Sequence, residues 1–258
     1  MRPWKPPWPR PGDWTVPWHR AAVRPDPGSA ASWRLVEQVL DPWLARQLQD
    51  IHVGLPPGTE PAPTPLSGHP LLLVANHTSW FDGFLLRRVQ RALAPGATLR
   101  TLMLSRELKG WRGGRPVLRQ LGGTGFDPRR PMTLRAALRS LEPARRTTAG
   151  LAVAFFPQGK IYPSYRKPPG FQPGLRLVMS HLAPATVLPV GIHLETGRHV
   201  RPSAWILSGP ALAVEPGQIP SVVRVESAVE DLCQRIRSHL ASWGEEAEAH
   251  WPPAAPGD

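Results

Sequence analysis

Four apolar stretches punctuate the middle of the chain: Leu71–Val74, Leu99–Leu104, Ala149–Phe156 and Thr186–Leu194. Such runs suit strands buried on both faces of a helix-covered parallel sheet. Between them apolar residues recur at helical spacing. Phe81, Phe84, Leu85 and Val89 follow the first run; Thr133–Leu141 and Leu175–Leu182 read as helices; Gly110–Leu121 reads as a short basic helix. Val222–Trp243, with Leu232, Ile236 and Leu240, predicts a C-terminal amphipathic helix. Trp33–Ile51 predicts an N-terminal one, which Pro42 bends or splits. Ala204–Leu207 suits a further strand. This alternation predicts an α/β fold, a mostly parallel central sheet flanked by helices, with an N-terminal amphipathic helix.

The polar punctuation is as informative. Leu55–Pro70 reads as a Pro/Gly linker and Ile161–Pro173 as a loop. Gly122–Pro131, GGTGFDPRRP, reads as a loop whose glycines allow close backbone approach to a ligand. Pro189 inside the fourth run implies an edge strand or a bulge. His239 is expected at the surface, and the tail from Gly244 is expected to fray. The resulting organisation is a flexible Pro/Trp/Arg-rich tail at 1–30, an N-terminal helix and linker at 31–69, the main domain at 70–243 and a flexible tail at 244–258.

Composition adds a charge and a compartment. There are 31 Lys+Arg against 19 Asp+Glu, a formal +12, and only four of the cations are Lys. An arginine-rich surface suits phosphate groups, whether of nucleic acid, an anionic membrane or a phosphorylated substrate. Cys233 is the sole cysteine, so no disulfide forms within the chain and a reducing cytosol is expected. No run of 18 apolar residues predicts a spanning helix, and the N-terminus lacks the apolar core of a secretory signal. In the first 30 residues Trp4, Trp8, Trp14 and Trp18 alternate with Arg2, Lys5, Arg10 and Arg20, a composition for a flexible tail or an interfacial membrane anchor.

The candidate chemistry sits where the first strand ends. His77 should stand at the strand's carboxyl end and Asp82 in the first turn of the next helix, beside the crevice where open α/β sheets hold ligands. A histidine near neutral pKa can take a proton from an attacking hydroxyl, and a carboxylate on its other nitrogen fixes the tautomer. Ser79-x-x-Asp82 also fits a helix capping box, an ordinary structural role for the same carboxylate. The chain lacks the Rossmann, P-loop and Gly-x-Ser-x-Gly signatures, and neither a metal site nor a cofactor is expected.

Four blocks, in order, resemble the glycerolipid acyltransferase family, whose best-known members are 1-acylglycerol-3-phosphate acyltransferases. Its Asn-His-x4-Asp block is matched by Asn76, His77 and Asp82; Gly-x-x-Phe-x-x-Arg by Gly123, Phe126 and Arg129; Phe-Pro-Glu-Gly-Thr by Phe156, Pro157, Gln158, Gly159 and Lys160; and its apolar strand with a central proline by Val187, Leu188, Pro189 and Val190. The resemblance implies transfer of an acyl group from acyl-CoA or acyl carrier protein to a lysophospholipid hydroxyl, as in phospholipid biosynthesis. It implies His77 as base, Asp82 as its orienter, Arg129 on a phosphate and the third block lining the acceptor site. It also implies an acyltransferase domain over 70–243, acting from the cytoplasm at the inner face of the cell membrane. Gln158 for Glu and Lys160 for Thr depart from the pattern and leave a glycolipid or pigment hydroxyl open as acceptor. A non-enzymatic binder of anionic surfaces or nucleic acid would explain the charge but not the ordered blocks, and no nucleic-acid motif is present, so no nucleic-acid partner is expected. A hydrolase handing the acyl group to water is the remaining alternative.

Overall fold

A computed structural model describes residues 26–55, 68–110 and 115–252. The tryptophan-rich start, most of the predicted linker, and Trp111 and Arg112 of the predicted basic helix lie outside the described residues.

The elements run α1 (Ala30–Gln47), β1 (Ile51–Gly54), β2 (Leu71–Ala75), α2 (Asp82–Leu93), β3 (Thr98–Leu104), α3 (Ser105–Gly110), α4 (Arg115–Gln120), β4 (Gly123–Phe126), α5 (Pro131–Arg139), α6 (Glu142–Arg145), β5 (Leu151–Phe155), α7 (Gly174–Leu182), β6 (Ala185–Glu195), β7 (Ser203–Ser208), β8 (Leu212–Val214) and α8 (Val222–Trp243). The sheet order is β1-β7-β6-β2-β5-β3-β4, with β8 beside β6. Strands β2 to β6 are mutually parallel. β7 and β8 run antiparallel to β6, and β1 lies parallel to β7. The result is the α/β fold read from the sequence, mostly parallel and covered on both faces.

Strand alternation explains the covering. In β2, Leu71, Leu73 and Ala75 face a core shared with α1 and α2, while Leu72 and Val74 face one shared with α5, α7 and α8. Leu72, Leu73 and Val74 are fully buried, each contributing about 2 kcal/mol by leaving water. A continuous apolar run is what this double burial demands.

Several elements differ from the sequence reading, each for a local reason. α1 ends at Gln47, short of Ile51, and Ile51–Gly54 is instead a strand. Its partner β7 is some 150 residues away, beyond the reach of local periodicity. α1 passes through Pro42 unbroken; Pro42 and Gln38, whose carbonyl loses its donor, are both exposed. Of the predicted basic helix Gly110–Leu121, Arg115–Gln120 is helix α4, and a further helix, α3, ends at Gly110. Gly123–Phe126, read as part of a ligand-binding loop, is edge strand β4. A Cβ on Gly123 would stand 2.8 Å from the Leu118 carbonyl oxygen, so this glycine admits a neighbouring backbone rather than a ligand. Pro189 lies neither at an edge nor in a bulge but in central strand β6, opposite Val74 of β2. β6 changes partner there, pairing with β8 over Ala185–Val187 and with β7 from Val190, so the missing N–H falls at the changeover. His239 is buried, its Nε2 2.8 Å from the Ala247 carbonyl. Residues 244–252 fold back, and Trp251 stands edge-on to Trp205 at 5.1 Å.

Candidate functional site

β2 ends at Ala75, its last residue paired with β6. The next residue continues that pairing with its side chain. Asn76 Nδ2 donates to the Ile192 carbonyl, and the Ile192 N–H donates to Asn76 Oδ1, both at 2.8 Å. The buried amide thus substitutes for backbone just as β2 turns away from β6, and it fixes where His77 begins.

The turn from His77 to Asp82 is organised around one carboxylate. Asp82 is fully buried and opens α2, as its place in the sequence predicts. Its Oδ2 lies 2.8 Å from His77 Nδ1 and accepts the N–H groups of Thr78 at 2.6 Å and Ser79 at 3.0 Å. Its Oδ1 accepts the hydroxyls of Ser79 at 2.6 Å and Thr78 at 3.2 Å. Half of the expected capping box is present: Asp82 reaches back to the Ser79 N–H, while the Ser79 hydroxyl donates to Asp82 instead of accepting its N–H. Ser79 does not cap α2 as N-cap residue; Phe81 holds that position, and the Ser79 oxygen accepts the Phe81 N–H at 3.2 Å. Structural and chemical readings of Asp82 coincide, since one buried carboxylate ties the turn and orients the imidazole. Thr78 was not singled out by sequence reasoning; the signal available was two hydroxyl residues between the histidine and the aspartate.

β5, the neighbour of β2, supplies the other wall. The Phe156 ring stacks on the His77 imidazole, centroids 4.6 Å apart and planes 25° apart. Gln158 Oε1 accepts the His77 N–H at 2.5 Å, and Gln158 Nε2 donates to the Pro169 carbonyl at 2.9 Å. This side chain is buried and used at both ends. A glutamate could make the first bond but not the second, having no donor when ionised. Buried Pro157 accepts the Gln172 N–H, and Gly159 closes the turn onto Phe156 with φ +66°, where only glycine is unstrained. Lys160 is exposed at the next position. The Tyr162 N–H donates to the His77 carbonyl at 2.8 Å, so the loop after β5 is tied back to the same histidine.

With Nδ1 directed at a carboxylate, the neutral ring presents Nε2 as its basic nitrogen, and the side chain stays about a quarter exposed. The arrangement can accept a proton from a group approaching from solvent. The one cysteine offers no competing nucleophile: burial pushes the Cys233 thiol up to about 12. Among the described residues no cluster of histidine, cysteine and carboxylate side chains could hold a metal.

The second block is not joined to this cluster. Phe126 is buried at the end of β4, its ring tilted 51° to that of Phe155 at 6.2 Å. Arg129 follows in an exposed turn, its own N–H donating to Asp127 Oδ1. β4 lies three positions from β2, roughly 14 Å at ordinary strand spacing, but the parallel sheet brings both carboxyl ends to one rim.

Beyond the rim, β6 carries a second histidine. His193 is buried, with Nδ1 2.5 Å from Ser164 Oγ and Nε2 3.5 Å from Glu195 Oε2. Burial lowers its pKa, outweighing the Glu195 carboxylate.

A comparison with known protein families matches residues 57–193 to the acyltransferase family model, just over half of the chain and all four blocks. A search of curated proteins finds no match. The match runs from before β2 into β6 and so spans the rim, its histidine and its carboxylate; this chain belongs to the glycerolipid acyltransferase family and is an acyltransferase.

Proposed function

We propose that His77 is the general base of a transfer from an acyl-thioester, coenzyme A or acyl carrier protein, to the hydroxyl of a lysophospholipid, 1-acylglycerol-3-phosphate in the first instance. The observation that carries this reading is the 2.8 Å contact between His77 Nδ1 and buried Asp82, with the His77 side chain still about a quarter exposed. The acceptor oxygen attacks the thioester carbonyl carbon while its proton passes to Nε2. The tetrahedral intermediate then collapses, the carbon–sulfur bond breaks, and the imidazolium returns the proton to the departing thiolate. No acyl-enzyme is required. Asp82 stabilises the imidazolium during the step, and the stacked Phe156 ring limits the imidazole's rotation.

Arg129, exposed and unburdened by a buried ion pair, holds the acceptor's phosphate. Gly123 and Phe126 set its strand. Asn76, Pro157, Gln158, Gly159 and Pro189 support the histidine through backbone and strand contacts, and Lys160 adds positive charge beside the acceptor. The enzyme works in the cytoplasm at the inner face of the cell membrane, in phospholipid biosynthesis, with the tryptophan- and arginine-rich start contacting headgroups. The formal +12 supports an anionic acceptor and an anionic surface.

The test is mass spectrometry of lipids after incubation with an acyl-thioester and a mixed lysolipid extract. Loss of 1-acylglycerol-3-phosphate with gain of the diacyl product is the expected result. Acylation of a glycolipid or pigment hydroxyl instead would reassign the acceptor, and free fatty acid formed equally with and without acceptor would overturn the transfer.

A further inference from the structure

Six large apolar side chains are exposed among the described residues, and five of them lie at one end of the molecule. Met132 (61% exposed) opens α5 just past the carboxyl end of β4. Ile161 (51%) and Tyr165 (71%) are in the loop after β5. Val200 (99%) tips the hairpin between β6 and β7, which projects past the last β2–β6 pair. Trp243 ends α8, and Arg198 of that hairpin reaches Glu245 just beyond it at 3.3 Å. The sixth, Val223, opens α8 at the opposite end, after β8 has paired with the first residues of β6. Scattered surface apolar residues need no explanation, but these share the rim that carries His77.

The loop after β5 gives the rim its character. From Pro157 to Pro173 it contains Lys160, Arg166 and Lys167 and no acidic residue. It is a held strap rather than a loose one. Glu226 of α8 accepts the N–H groups of Gly170 and Phe171, Lys167 reaches Gln234, and Arg237 donates to the Ser164 carbonyl. The Arg166 guanidinium lies 3.7 Å over the Tyr162 ring. Ile161 and Tyr165 therefore project from a fixed base bearing only positive charge.

We propose that this rim is a docking face for an anionic lipid bilayer, with Ile161 and Tyr165 entering the headgroup layer and the strap cations meeting lipid phosphates. The proposal rests on the reading of His77 as the base for a lipid hydroxyl, and it gives that lipid its direction of approach. Exposed apolar side chains on a strap whose only charges are positive, with others on the same rim, suit a planar anionic surface rather than a protein groove.

Sedimentation of the full chain with phosphatidylcholine vesicles, with and without phosphatidylglycerol, tests the face. Ile161→Asp combined with Tyr165→Asp should weaken partitioning onto the anionic vesicles roughly tenfold, Val223→Asp should leave it unchanged, and the wild type should bind pure phosphatidylcholine less well. Unchanged binding of the double variant, or an equal loss in Val223→Asp, overturns the docking face. In parallel, transfer between a water-soluble short-chain thioester and a monomeric acceptor should proceed at the wild-type rate in the double variant. A wild type unable to transfer would sink the catalytic reading alone, while the sedimentation result would still decide the face.

Discussion

The ends of β2 and β4 lie on one rim and could hardly be built more differently. After β2, each of Asn76, His77, Thr78, Ser79 and Asp82 is tied by its side chain to a named partner. After β4, Arg129 and Arg130 are exposed, with the Arg130 guanidinium 4.0 Å from the Asp127 carboxylate. A base must be aimed before substrate arrives, because misdirection of the imidazole costs rate directly. A cation meeting a phosphate can adjust as it binds, since a guanidinium on a flexible stem finds a bidentate geometry by rotation. Under the proposed function, the contrast separates a part of the site made by folding from a part completed by the ligand.

Asp82→Asn strikes the built part hardest. The amide nitrogen would meet donors that now point at a carboxylate, and the imidazole would lose its orienter. Activity should fall about a thousandfold and stability by about 2 kcal/mol, read from turnover and denaturant unfolding. A variant of full activity would mean that the carboxylate only ties the turn before α2.

Gln158→Glu places the family's usual residue into this turn. The buried carboxylate would face the Pro169 carbonyl without a donor, so we expect a loss of about 1–3 kcal/mol. Retained stability would mean that Pro169 turns away at no cost, and that the departure from the family pattern has no structural reason.

Arg129→Ala tests the other end. Its KM for a phosphorylated acceptor should rise about tenfold with kcat and melting temperature little changed, and Arg129→Lys should recover part of the loss. A fall in kcat alone would place the guanidinium in the chemical step instead.

The smallest effect concerns pH. Burial holds His193 and His52 below the ordinary 6.5, so each binds its proton more readily in the unfolded chain. The stability these two residues contribute is fully present above pH 6.5 and falls as pH drops through 6.5 toward the lowered values. His193, facing Ser164, Glu195 and Arg237, carries part of this slope, and His193→Asn should flatten the stability profile between pH 7.5 and 5.5. An unchanged profile would mean that His193 does not titrate in that window.

What the sequence discloses follows from how far each feature's cause extends along the chain. β2, β5 and α8 were legible because burial on both sheet faces, or on one helix face, writes itself into consecutive residues. The His77–Asp82 pair was legible because both members lie on one turn. β1 and β4 were not, since their strand character comes from partners distant in sequence, and β4 is half glycine. Pro189 misled because its tolerance depends on a change of partner strand that only the assembled sheet reveals. His239 looked solvated until residues 244–252 folded over it. The roles of Asn76 and Gln158 were hidden for the same reason, since Ile192 and Pro169, to which they bond, come from other elements.

The most direct measurement is thioester consumption, in the presence of 1-acylglycerol-3-phosphate, by purified His77→Ala whose circular dichroism and melting temperature match the wild type. Removing the imidazole takes the proton acceptor from the rim and leaves the Asn76 and Gln158 bonds to backbone in place. The account predicts a turnover lower by about a thousandfold or more. Near-normal turnover by that folded variant would contradict it.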